Sequence, residues 1–198
     1  MERTQRIIEL ARKAGIIRPR DVEALGIPRE YLLRLYRRGI LTRLGRGLYA
    51  LPEALTSESI TLAEVGKRLP QGVVCLISAL QFHNLTTQIS PRVWIAMESG
   101  KWKPEFDYPP LELVRMSGPA FCYGVEENEV NRVPVKVYSP AKTVADCFKF
   151  RNKIGLDVAI EALRETWRYR RATMDEIWEA SEVCRVANVI RPYLEAIV

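Results

Sequence analysis

The sequence predicts an α+β fold: an N-terminal winged helix-turn-helix over residues 1–52, then a mixed α/β domain over residues 57–198 with a helical C-terminus. Three observations lead there. Residues 1–52 read as three short helices and a glycine-bearing hairpin. Strand-like runs between residues 72 and 138 are interleaved with helices and give way to helix alone after Gly155. The charge is segregated: residues 1–52 hold 12 Lys+Arg against 5 Asp+Glu, and residues 53–198 hold 18 against 19, so the whole net charge of +6 originates in the first quarter of the chain.

In order, residues 2–14 place Ile7, Ile8, Leu10, Ala11 and Ala14 on one helical face, and Gly15 stops that helix. Pro19 opens a short second helix around Val22 and Leu25 that ends at Gly26. Pro28 and Gly39 bracket the third, with Leu32, Leu35 and Tyr36 on its inner face and Arg29, Glu30, Arg34 and Arg37 on its outer one. In "ILTRLGRGLYAL", Leu41, Leu44 and Leu48 alternate with polar residues, and Gly45 and Gly47 sit at a hairpin tip. Pro52 and the polar residues after it form a linker. A helix capped by Ser57 or Ser59 follows, then an apolar strand-to-helix segment over 72–85. "RVWIAME" and Leu111–Arg115 are strands, and two more flank an acidic loop near residues 125–130. Ser139 caps, and Pro140 begins, the helix "PAKTVADCFKF". The rest is helical.

Eleven of the 12 basic residues before position 53 are arginine, a planar fork of donors suited to phosphates and base edges. Two helices packed behind the third leave its outer face free to enter a DNA major groove about 12 Å wide. On that geometry Arg29 and Arg34 are candidates for base edges, and Arg37, Arg38, Arg43 and Arg46 for phosphates. Tyr31 is placed to stack or hydrogen-bond at the start of the helix. Glycines at the hairpin tip would let it approach a sugar-phosphate surface closely. A second set, Arg164, Arg168, Arg170 and Arg171, reads mainly as a solvated face.

The remaining chemistry is sparse. No apolar run approaches the roughly 20 residues of a membrane helix, and the first residues hold no apolar signal block. A soluble, cytoplasmic protein is expected. Cys75, Cys122, Cys147 and Cys184 are spaced too widely for a zinc ribbon or a C-x-x-C motif, and free, mostly buried thiols are expected. There is no Asp-x-Asp, Glu-x-Lys, phosphate loop or H-E-x-x-H, so no catalytic residue, metal or cofactor is assigned. His83 reads as a structural polar residue at a helix end. Lys142 and Asp146, at i, i+4 spacing, read as a helix-surface pair beside Ser78. Core packing is the expectation for Trp94, Trp167 and Trp178, whereas Trp102 lies in a polar turn and reads as an exposed contact.

The stretch "GIPREYLLRLYRRGILTRLGRGLYALP" resembles the N-terminal winged helix of AbiEi-type antitoxins from type IV toxin–antitoxin and abortive-infection systems. "CLISALQFHNLTTQISPRVWIAM" and "VYSPAKTVADCFKFRNKIGLDVAIEAL" are similar to later segments of that family, in the same order. The resemblance implies a two-domain antitoxin: the winged helix would bind double-stranded operator DNA upstream of its own operon and repress it. The second domain would counteract a cognate nucleotidyltransferase-like toxin, directly or functionally. Two alternatives stand beside this. One is a plain winged-helix regulator whose second domain senses a ligand or dimerises. The other is an enzyme with a site built from unrecognised residues.

Overall fold

The computed structural model describes residues 2–55, 59–101 and 108–197. It is a mixed α+β structure that divides into two compact units, residues 1–70 with 128–135, and residues 71–127 with 136–198. The boundary read from the sequence at residues 52–57 thus falls at 70–71. Helix α4 (Ser59–Arg68) groups with the first unit, where Lys67 lies 3.8 Å from Asp21 and Arg68 pairs with Glu64 at 2.9 Å. Ser57, one of the two residues expected to cap α4, and Trp102 lie outside the described residues.

In the first unit, α1 (Glu2–Ala14) buries Ile7 and Ala11. Strand β1 (Ile16–Ile17), which no sequence signal marked, leads into α2 (Pro19–Glu23), where the Arg18 backbone N–H donates to the Asp21 carboxylate at 2.8 Å. Helix α3 (Glu30–Arg37) ends on Gly39 at φ +70, with Gly39 N–H donating to Tyr36 O and Ile40 N–H to Leu35 O. Strands β2 (Thr42–Gly45) and β3 (Leu48–Ala50) form the hairpin, and β1 joins it to give an antiparallel sheet of order β1-β3-β2. The register shifts between Arg43 and Gly45, a bulge at Leu44, which is only half-buried for that reason. Ile7, Ile17, Val22, Ile27, Leu32, Leu35, Leu41 and Tyr49 make one apolar core. Gly15, at φ +65, leaves no room for a side chain because the Asn131 carbonyl occupies the space of a Cβ.

The second unit is built on a mixed five-stranded sheet of order β6-β5-β4-β8-β7. Its strands are β4 (Val73–Val74), β5 (Val93–Glu98), β6 (Leu111–Met116), β7 (Val125–Val130) and β8 (Val133–Tyr138). β5 runs parallel to β6, and β4 runs antiparallel to β5 and parallel to β8. The acidic run expected as a loop is strand β7 itself. It turns into β8 through Asn131 and Arg132, both left-handed, which is the backbone a two-residue hairpin turn requires. Residues 128–135, the tip of this hairpin, belong to the first unit. Around the sheet pack α5 (Leu76–Phe82), α6 (Pro119–Cys122), α7 (Pro140–Lys149), α8 (Arg151–Ile154), α9 (Leu156–Arg168), α10 (Met174–Val183) and α11 (Ala187–Glu195). Ser139 caps α7 by accepting the Lys142 N–H at 3.3 Å, with Pro140 at the first turn.

The centre of this unit is α7, whose residues Ala141 through Phe148 are all buried. Lys142 and Asp146 are therefore not a surface pair: both are fully buried and ion-paired. The Lys142 ammonium lies 4.1 Å from the Tyr138 ring centroid, and the Cys184 thiol donates to Asp146 at 3.4 Å. Burial raises the Asp146 carboxyl above the usual range against the pull of Lys142, and pushes Cys184 up to about 12. All four cysteines are free, and Cys122 alone is exposed. His83 ends α5, its Nε2 bonded to the Tyr138 carbonyl at 2.7 Å, as a structural residue would be.

Candidate nucleic-acid interface

The candidate surface is α3 and the β2–β3 hairpin. Leu32 and Leu35 are buried and pin one face of α3 to the core, while Leu41 and Leu48 do the same for the hairpin. This leaves Arg29, Arg34, Arg37 and Arg38 exposed on or beside α3, and Arg43 and Arg46 exposed on the hairpin. None of these six guanidinium groups makes an ion pair among the described residues. Burying apolar residues while leaving unpaired arginines in water gives a surface poised for anions.

Two partners orient this surface. The Arg34 guanidinium lies 4.8 Å from the Tyr31 ring centroid, and Arg43 Nε–H donates to the Gly45 carbonyl at 3.2 Å. Tyr31 is half-buried and carries a second cation, Arg3 of α1, at 5.9 Å. Tyr31 thus stands between two arginines at the start of α3. Arg3 was not among the residues the sequence singled out, because the helix pattern of α1 says nothing about which residue of α3 it meets.

The structure corrects two details. Tyr36, expected on the inner face, is 42% exposed, edge-on to Tyr49 with centroids 6.3 Å apart, and Leu33 is 41% exposed. The outer face therefore carries apolar area among its arginines. Gly45 does not have a positive φ; its missing side chain makes room for the Arg68 guanidinium and the Glu64 carboxylate. The fit at Gly45 is thus internal to the protein. Gly47, at φ +71, supplies the turn.

Among the described residues, no group of three His, Cys, Asp or Glu could hold a metal ion, and no helix is long and apolar enough to cross a membrane.

Residues 5–52 match the model of a family described as "Transcriptional regulator, AbiEi antitoxin", so the resemblance read from the N-terminal motifs holds over this stretch. No curated protein matches the chain. Among solved structures, the chain is similar to the RV2827C protein from Mycobacterium tuberculosis. The two are 12% identical with a TM-score of 0.50, and the match covers 98% of this chain and 81% of that one. At that identity the likeness concerns the fold alone.

Proposed function

We propose that the first unit is a winged helix-turn-helix that binds operator DNA, with α3 in the major groove and the β2–β3 hairpin as the wing along the sugar-phosphate backbone. The observation that carries this is the exposure of six arginines without ion-pair partners on α3 and the hairpin, within the stretch that matches the family of transcriptional regulators and antitoxins. Arg29 and Arg34 take base edges, and Arg37, Arg38, Arg43 and Arg46 take phosphates. Tyr31 holds Arg34 from one side and Arg3 from the other, which narrows the directions in which the two guanidinium groups can reach. The chain acts as a repressor of its own operon and as an antitoxin toward a nucleotidyltransferase-like toxin; this part of the reading rests on the family resemblance.

A gel-shift series on DNA from upstream of the chain's own coding sequence tests the DNA reading, with the native protein compared across salt concentrations. Arg34→Ala is expected to abolish the preference for the operator over unrelated duplex, a loss of about 1–3 kcal/mol. Arg46→Ala is expected to weaken binding to all duplexes and to make the salt slope shallower by about 0.9. Native affinity and slope in both variants would remove these residues from the interface.

A further inference from the structure

The corner between α9 and α10 in the second unit carries exposed side chains that DNA binding does not use. Trp167 is 39% exposed, contrary to the core position expected of it, and Tyr169 is 54% exposed. Trp167, Arg168, Arg170 and Met174 line an open groove of about 680 Å³. Arg168 lies 3.7 Å from Glu165, whereas the exposed Arg164, Arg170 and Arg171 make no ion pair among the described residues. Several nearby carboxylates are already engaged. Glu161 accepts hydrogen bonds from Thr86 and Thr87, and Glu176 accepts from Thr173 at the cap of α10.

The backbone at Arg170 adds to this. Helix α9 closes with Arg170 N–H donating to Trp167 O at 3.0 Å and Arg171 N–H to Thr166 O at 2.9 Å, with Arg170 at φ +51. That position favours glycine. The chain instead places a guanidinium there, next to an exposed indole.

We propose that this corner docks an acidic segment of a protein partner. The partner's carboxylates would meet Arg164, Arg170 and Arg171, and an apolar side chain would rest against Trp167 and Met174. Tryptophan, tyrosine and arginine are the residues that dominate protein–protein contacts. A nucleic-acid strand fits less well. Residues 157–176 hold four arginines and five acids, so they lay no continuous positive track for successive phosphates. The proposal does not depend on the DNA reading.

The test uses the full-length protein and a short fluorescein-labelled peptide alternating glutamate pairs with leucine, read by anisotropy and by the Trp167 indole NMR signal, assigned with Trp167→Phe. Saturable binding that moves this signal is expected, with no binding of the same peptide carrying glutamine in place of glutamate. Trp167→Ala should weaken binding about ten-fold or more. Arg170→Gly should weaken it comparably while the thermal midpoint holds or rises, because glycine relieves the left-handed backbone; this separates docking from misfolding. Arg34→Ala should leave peptide binding unchanged, so failure here and failure of the DNA reading are distinct results. The proposal is overturned by absence of saturable binding, by equal binding of the glutamine peptide, by native affinity in Trp167→Ala and Arg170→Gly, or by an oligonucleotide moving the Trp167 signal in place of the peptide.

Discussion

The two units treat their charges in opposite ways. On α3 and the hairpin, arginines stand in water without acids beside them. In the second unit most cations with a printed partner are tied to an acid: Lys142 to Asp146 in the core, Arg92 and Lys153 to Glu112, Lys136 to Glu127, Lys101 to Glu98. A cation that already has an internal partner offers little to a ligand, because that pair must first be broken. A cation left solvated keeps its donors available. The contrast between units therefore locates the surface kept for a partner more sharply than the net charge does. The α9–α10 arginines are the second unit's exception, and they mark its candidate docking corner.

The largest expected effect breaks the contrast from the inside. Lys142→Ala leaves Asp146 buried without its cation and should cost about 3–5 kcal/mol in chemical denaturation. The double change Lys142→Met, Asp146→Leu should recover most of that loss or exceed the native stability. A harmless Lys142→Ala would show that the pair matters no more than a surface one.

Next is the packing under the hairpin. Gly45→Ala must displace the Arg68–Glu64 pair, and a loss of about 1–3 kcal/mol is expected from the thermal midpoint. Gly39→Ala, which meets no atom within 4 Å but sits at φ +70, should cost about 1–2 kcal/mol through the backbone alone. Equal tolerance at Gly45 would mean that the hairpin base is not held by α4.

The smallest effect is in pH. The Lys153 hydrogen bond, with help from Arg92, holds the Glu112 carboxyl below its usual range, whereas burial pushes Glu64 above it despite Arg68. Glu112 contributes stability above the unfolded value of about 4.3, and that contribution is lost as the pH falls through its lowered native value. Glu64 does the reverse: its contribution is present at low pH and is lost as the pH rises through the ordinary carboxylate range toward its raised native value. Urea unfolding across this range should show a shallower acid loss in Glu112→Gln, and in Glu64→Gln the disappearance of the decline toward neutrality. Each change should amount to a few tenths of a kcal/mol.

Much of this architecture could be read locally. The 3.6-residue spacing of α1, the glycine stop of α3, the hairpin and the Ser139-Pro140 start of α7 are signalled by residues within a turn or two of one another, and each appears as expected. What escaped depends on distant partners. Ile16–Ile17 is too short to show a period and becomes a strand only because β3 is there to pair with it. An i, i+4 Lys–Asp pair has the same spacing on a surface or in a core. The apolar residues between and after them, Val144, Ala145, Cys147 and Phe148, were the available signal that α7 is apolar all round. The exposure of the arginines followed from the helix period, whereas the Arg3–Tyr31 contact required knowing how α1 crosses α3.

The hairpin tip at residues 128–135 also sets a schedule. During synthesis, α3 and its arginines leave the ribosome early, yet the carbonyl that fills the space over Gly15 is delivered by Asn131, about two-thirds of the way along. A nascent chain stopped before that point lacks part of the unit that carries the arginines. Completion of that unit is therefore tied to translation of most of the polypeptide, and no single cut in the gene yields the whole of it as one uninterrupted fragment free of the intervening sequence.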